Sequence, residues 1–345
     1  MERSGVGLCL SGGGYRAMLF HTGVLWRLNE LGQLPRLAVI SSVSSGAIAA
    51  GVLAHAWPDL EFRHGVAVAF QERVVRPVRA LAGVNIDARA VLRGLARPWR
   101  SVGEEVAASL RRHLFGRRML AELPESPRFV FTATNLRTGA LWRFSGAAMG
   151  DPDSGPLPPV VSLATAVAAS SAFPPFLSPV VLRHGGRGVV LSDGGVFDNL
   201  ALDPATECCA TVLVSDGGRR IRRLRRVPRD WPRHVLRAVD VVDNQVRSLR
   251  KRALLASYDR GDFRGAYWGT YRDIADFGLP DALPAPAERT LALAELPTRL
   301  HHVPPTVQER LINWGYAVCD AGMRRWVLPG AASPRDFPYP TAGVG

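Results

Sequence analysis

Three short stretches carry the residue types that nucleophilic chemistry needs. The first is SGGGYRA, Ser11 to Ala17. Consecutive glycines have no Cβ to block approach, so their N–H groups can converge on one point. A helix starting there adds the positive end of its dipole. Such a loop holds an anion, either a nucleotide phosphate or the oxyanion of an acyl-transfer intermediate; the bland reading is a tight packing turn. Gly12, Gly14 and Ala17 also satisfy the loose pattern G-x-G-x-x-G/A. A dinucleotide site, however, wants an acidic residue about 20 positions on, where the second strand ends. Here that strand ends in serines, and Glu30 and Asp59 are misplaced.

The second stretch is Ser42-Val43-Ser44-Ser45-Gly46. It follows the nucleophile-elbow pattern G-x-S-x-G, with Ser42 in the place of the first glycine. An elbow puts its serine on a strained strand-to-helix turn, and small residues two before and two after avoid collision. Ser44 is then the exposed hydroxyl, and a helix beginning near Ser45 favours negative charge beside it. Ser41 and Ser45 also read as helix N-cap serines. The third stretch is SDGG, Ser192 to Gly195, at the end of an apolar strand. Asp-Gly after a strand is most often a hairpin turn. The same tetrapeptide recurs at Ser215 to Gly218, so Asp193 and Asp216 are both candidate bases.

The elements that must position these groups are legible at the N-terminus. Gly5 to Leu10 reads as a buried strand, Tyr15 to Leu31 as a helix stopped by Gly32, LAVIS as a second strand, and AIAAGVLAHA as a second helix. Strand–helix–strand–helix predicts a parallel sheet covered by helices. Residues 57–118 read as mostly helical and arginine-rich. RFVFTATNLRTGALWRF reads as two strands about a turn at Arg137 to Gly139. VVSLATAVAASSAFPPFLSPVVL reads as a helix stopped by Pro174 and Pro175, then a strand near Val180. Further on, Val235, Val239, Val242, Val246, Leu249 and Ala253 fall on one face of an amphipathic helix. VQERLINWGYAVCDAGMRRWV reads as the last helix, and the final dozen residues as a loose tail.

Composition narrows the class. The chain has 345 residues, 47% of them apolar and 21% charged, which is globular rather than disordered composition. Cys9, Cys208, Cys209 and Cys319 suit neither a metal pair nor a disulfide framework, and point to a reducing compartment. Leu37 to Ala56 and Leu157 to Leu182 lack charge over a membrane-spanning length, but their serines, glycines and prolines favour buried strand, turn and helix. No signal peptide and no transmembrane helix are expected, so the location is cytoplasmic or peripheral to a membrane. The net charge of +13, nearly all from arginine, favours approach to lipid headgroups or nucleic acid. RRIRRLRR, Arg219 to Arg226, reads either as a headgroup contact or as a solvated run. Only Trp231 lies near it, which argues against base stacking. His21 reads as a packing or surface residue. His301 and His302 lack metal-ligand neighbours, and no metal or cofactor is expected.

Together these pieces resemble the patatin-like phospholipase family. The resemblance rests on GGGYRA, then SVSSG about thirty residues on, then DGGVFDNLA, with FTATNLRTG and AVAASSAFPPFLSP between, and covers roughly Gly5 to Ser215. It implies a three-layer α/β/α fold and a Ser–Asp dyad without a catalytic histidine. Ser44 is then the nucleophile, Asp193 the base, and Gly12, Gly13 and Gly14 line the oxyanion hole. Ser42, Gly46, Gly194 and Gly195 support these groups. Arg16 occupies the basic position after the glycines, where loop anchoring, phosphate contact and a solvated helix site are the readings. Asp216 lacks this context. The implied function is a lipid acyl hydrolase acting on phospholipid or lysophospholipid esters. The alternatives are a basic nucleic-acid or anionic-membrane binder and a scaffold of faded activity. The implied organisation is a catalytic core over 5–215, a mostly helical extension over 216–330 on the same domain, and a loose tail over 331–345.

Overall fold

The apolar runs become strands in the computed structural model, which describes residues 3–86, 102–175, 177–184, 187–221 and 223–345. Part of the helical reading of 57–118, together with Phe176 and Arg222, lies outside the described residues. The chain opens with β1 (Val6–Leu10), α1 (Gly14–Glu30), β2 (Leu37–Val43) and α2 (Ser45–Ala56). A small hairpin of β3 (Phe62–Arg63) and β4 (Val66–Ala67) follows, then α3 (Arg76–Ala82) and α4 (Val102–Leu110), so this stretch is not helix alone. Next come β5 (Arg128–Asn135), β6 (Leu141–Phe144), β7 (Met149–Gly150) and α5 (Leu163–Ser170). β8 (Val180–His184) and β9 (Arg187–Asp193) lead into α6 (Gly195–Asp198) and α7 (Asp203–Thr206). The chain then runs through β10 (Thr211–Asp216), α8 (Trp231–Arg260), β11 (Arg264–Gly269), α9 (Ala287–Ala294) and α10 (Pro305–Trp326).

β11, β10, β1, β2 and β5 lie side by side in that order, all parallel. β6 and β9 both join β5 antiparallel, with β7 and β8 outside them. Alternate strand residues face opposite cores. Leu8, Ile40, Phe129 and Leu213 face a large cluster with α1, α2, α3 and α10, whereas Cys9, Val39, Val130 and Val212 face a smaller one with Leu200, Ala205 and Leu254. The fold is three-layer α/β/α. Because the central strands are parallel, β1, β2, β10 and β11 all end on one edge of the sheet. β5 separates β2 from β9. Val43 pairs with Thr132 and Asp193 with Ala133, so Ser44 and Asp193 arrive at the same level on either side of β5.

The C-terminal part is woven into this sheet. β11 pairs with β10 over six residues, so the sheet continues past residue 215. The final residues are not a loose tail: Phe337 and Val344 are buried, and Asn313 Nδ2 donates to the carbonyls of Tyr339 and Gly343. These apolar side chains belong to the large core cluster that also holds Leu311, Ile312 and Trp314 of α10. α8 also departs from expectation. Its apolar stripe faces solvent, with Val235, Val239, Val242 and Leu249 exposed and Leu254 its only buried residue. α1 and α10 are locked by a buried ion cluster, Arg27–Asp320 at 2.8 Å and Arg324–Asp320 at 2.9 Å.

Removing one member of a buried ion cluster strands the others without partners. Asp320→Ala is therefore expected to lower the unfolding free energy by roughly 3 kcal/mol, read from the urea midpoint.

Candidate active site

Ser44 stands between β2 and α2 at φ 57°, ψ −127°, a conformation that L-residues rarely adopt. The fold grips it from three sides. Its N–H faces the Ser170 carbonyl at 3.1 Å and the Ser170 hydroxyl at 3.0 Å. Its carbonyl accepts from the Ser171 hydroxyl at 3.0 Å and from the Ala47 N–H at 2.9 Å. Gly46 lets α2 close on β1, since a Cβ there would come within 2.4 Å of the Leu10 carbonyl oxygen. Ser42 is buried beneath, its hydroxyl donating to the Val130 carbonyl at 3.3 Å. Ser44, not Ser41 or Ser45, takes the N-cap position, and it makes no side-chain capping bond. Its hydroxyl is thus not consumed by the helix.

Asp193 ends β9 and is 1% exposed. Its N–H donates to the Ala172 carbonyl at 2.9 Å and its carbonyl accepts from Thr134 Oγ1 at 2.8 Å. Oδ1 accepts from the Gly195 N–H at 2.7 Å. Gly194 fits where a Cβ would meet the Thr132 carbonyl oxygen at 2.4 Å. Burial pushes the carboxyl up to about 7, and the Gly195 N–H and the Ser44 hydroxyl pull it back from higher. Oδ2 makes no hydrogen bond of ordinary length. The Ser44 hydroxyl nevertheless lies near enough to the carboxyl to lower its pKa.

The glycine loop lies against this pair. A Cβ on Gly12 would come within 2.9 Å of Ser44 Cβ and 2.3 Å of Asn199 Oδ1. The Gly12 N–H is spent on the Asn199 carbonyl at 3.3 Å. Among the described residues, the Gly13 and Gly14 N–H groups find no backbone acceptor. Gly13 (φ 149°) and Gly14 (φ 65°) hold backbone conformations that favour glycine at the start of α1. The loop is tied from behind. Arg16 is buried and donates to the carbonyls of Ala294, Leu296 and Gly217 at 2.5, 3.0 and 2.7 Å. Burial lowers its pKa to about 10, so it stays charged. It is an anchor, not a solvated helix residue. His21 is fully buried, bridging the Ser11 carbonyl (2.9 Å) and the Ser215 hydroxyl (2.8 Å). Burial drives its pKa down to about 4, so it is neutral.

The second SDGG is wired differently. Asp216 Oδ1 accepts from the Gly218 N–H at 2.8 Å, as Asp193 does from Gly195. Its Oδ2, however, takes the Tyr267 hydroxyl at 2.6 Å. Burial alone would raise its pKa, but Arg247 and that hydroxyl outweigh it and the net shift is downward. Asp216 is a saturated anion and a poor base. Ser170, Ser171 and Asn199 were not singled out from the sequence, although the segments AVAASSAFPP and DGGVFDN hold them. The signal was a pair of serines at a helix end, which by itself resembles any helix terminus. Among the described residues, no group of His, Cys, Asp and Glu is placed to hold a metal ion.

The family profile described as Patatin-like phospholipase matches residues 8–206, more than half of the chain. The chain belongs to the patatin-like phospholipase family. No curated protein matches it. Among solved structures, this patatin-like chain is similar to human GIVD cytosolic phospholipase A2 with methyl gamma-linolenyl fluorophosphonate, at 15% identity and a TM-score of 0.49, over 92% of this chain and 57% of that one. It is also similar to VipD from Legionella pneumophila, at 17% identity and a TM-score of 0.37, over 92% and 66%. The patatin-like chain thus spans less than two thirds of the length of either.

A carboxyl raised by burial keeps its proton in the folded state to about pH 7, whereas the unfolded chain releases it near pH 4. Stability from this group is full below pH 4 and is lost as pH rises through 7. Asp193→Asn removes that penalty. The variant is expected to melt higher than the parent at pH 8, with a smaller gain at pH 5, by scanning calorimetry.

Proposed function

We propose that the protein hydrolyses carboxylic ester bonds of phospholipids or lysophospholipids through an acyl-serine intermediate. The observation that carries this reading is the pairing of a strained, uncapped serine with a buried carboxylate poised near neutral pH. Ser44 Oγ attacks the ester carbonyl while Asp193 takes its proton. Negative charge develops on the carbonyl oxygen, where the unspent N–H groups of Gly13 and Gly14 and the N-terminus of α1 receive it. One such donor is worth about 3 kcal/mol in the transition state. Asp193 then gives its proton to the leaving alcohol. Water, deprotonated by the same carboxylate, attacks the acyl-serine and releases the fatty acid.

A lipid interface suits the outer surface. Phe173 and Val196, next in sequence to the dyad supports Ala172 and Gly195, are both 46% exposed. Residues 219–260 hold 14 basic and 4 acidic side chains, +10 of the chain's net +13. On α8 this charge accompanies an exposed apolar stripe that includes Trp231. Basic residues with an unpartnered apolar face are the make-up of a helix that lies in the headgroup region of an anionic bilayer.

A fluorophosphonate probe is expected to label Ser44, with neither Ser44→Ala nor Asp193→Asn hydrolysing a short-chain ester. Labelling elsewhere, or turnover surviving in both variants, would sink the dyad. In the parent enzyme, kcat/KM should rise with pH through about 7 and then level, because Asp193 must be unprotonated to accept the hydroxyl proton. For the interface, Val239→Asp with Val242→Asp should cut sedimentation with vesicles containing phosphatidylglycerol while leaving hydrolysis of a water-soluble ester intact.

A further inference from the structure

Beneath α8, on the face opposite its apolar stripe, a cleft of about 330 Å³ opens at the ends of β10 and β11. Asn244, Arg247, Ser248 and Lys251, spaced three or four apart, line it from the helix. Arg220 and Arg272 enter from the loops after β10 and β11. Four cations therefore surround one small space.

One buried carboxylate, Asp216, lines the cleft and acts on both Arg247 and Lys251, which sets four cations against one anion. Both oxygens of Asp216 are occupied, Oδ1 by the Gly218 N–H and Oδ2 by the Tyr267 hydroxyl. Lys251 Nζ stands 4.4 Å from the centre of the Tyr267 ring, and the Arg220 guanidinium 4.8 Å from that of Tyr271. Among the described residues neither forms an ion pair, although Asp216 acts on Lys251 from farther off. Arg272 reaches an acid only loosely, Asp276 at 3.6 Å, and its buried Nε has no hydrogen-bond partner. Arg247 is seated over Gly218, where a Cβ would lie 2.0 Å from its Nη1. A partly enclosed cleft with four cations and one anion is short of negative charge. Guanidinium forks joined by an ammonium and hydroxyls fit the tetrahedral, multiply accepting oxygens of a phosphate.

We propose that this cleft is a binding site for a phosphate group, either a phospholipid headgroup or a small soluble phosphate. The site shares a turn with the glycine loop. Gly217 receives Arg16 on its carbonyl and donates its N–H to Ser11 Oγ, while its neighbour Asp216 lines the cleft and Gly218 lies against Arg247. A phosphate held there sits beside the candidate active site on the same sheet edge.

The proposal stands apart from the hydrolase reading, and it is tested on Ser44→Ala protein so that turnover plays no part. Inorganic phosphate and glycerol 3-phosphate are titrated by calorimetry at constant ionic strength. In parallel, sedimentation compares phosphatidylcholine vesicles carrying phosphatidic acid with vesicles given equal charge by oleate. Arg247→Gln with Lys251→Gln should weaken phosphate binding by about tenfold or more, whereas Arg36→Gln with Arg63→Gln, an exposed pair of equal charge outside 219–260, should change it by less than about twofold. Arg220→Gln alone, from the half-exposed loop, is the second variant should the double change lower the melting temperature. Saturable binding of the soluble phosphates that the cleft variants weaken identifies a small-molecule site. A preference for phosphatidic acid over oleate, lost only in the cleft variants, identifies a headgroup site. Absence of both, or equal loss in the exposed pair, overturns the proposal.

Discussion

Ser44 is held where an L-residue is uncomfortable, and the surrounding fold is arranged to keep it there. A backbone in such a region is disfavoured by roughly 1–3 kcal/mol unless its neighbours over-determine it. Here they do. The end of α5 grips both the N–H and the carbonyl of Ser44, and the glycine at position 46 lets α2 reach the end of β1. The return is chemical, because the turn directs the hydroxyl away from helix capping and towards the carboxylate across β5.

The two SDGG turns show how environment separates identical tetrapeptides. Each aspartate accepts from the glycine two residues on and each is buried, yet their acidities move in opposite directions. What differs is the second oxygen and the sign of the nearest charges. Asp193 Oδ2 has no hydrogen-bond partner, and no cation is among the groups that shift it. Asp216 has a tyrosine hydroxyl, with Arg247 and Lys251 above it. The first arrangement leaves a carboxyl that titrates near neutral pH, the second a fixed negative charge beside Arg247 and Lys251.

Much of the fold was legible because the strands are short apolar runs punctuated by glycine. β1, β2, β5, β9 and β10 all fall where those runs predict. The Ser44 elbow and the Asp193 turn were legible from local spacing and the resemblance. Three features were not, for one reason: each depends on partners distant in sequence. The role of Arg16 is decided by carbonyls almost 280 residues away, which no local pattern reveals. The burial of Phe337 and Val344 goes with Asn313 of α10, which binds the carbonyls of Tyr339 and Gly343 from 26 and 30 residues away. The α8 stripe has the periodicity of a core-facing helix, and periodicity alone does not say whether protein or some other apolar phase covers it.

The anchoring of the glycine loop sets an order of assembly. Tyr15 donates its N–H to the Arg299 carbonyl, and Arg16 reaches Ala294 and Leu296, so the loop borrows its walls from the last sixth of the chain. A chain emerging from the ribosome can close the serine turn once α5 is out, but the donors of Gly13 and Gly14 lack their backing until residues 294–299 appear. The glycine loop is thereby complete only once residues 294–299 have packed against it.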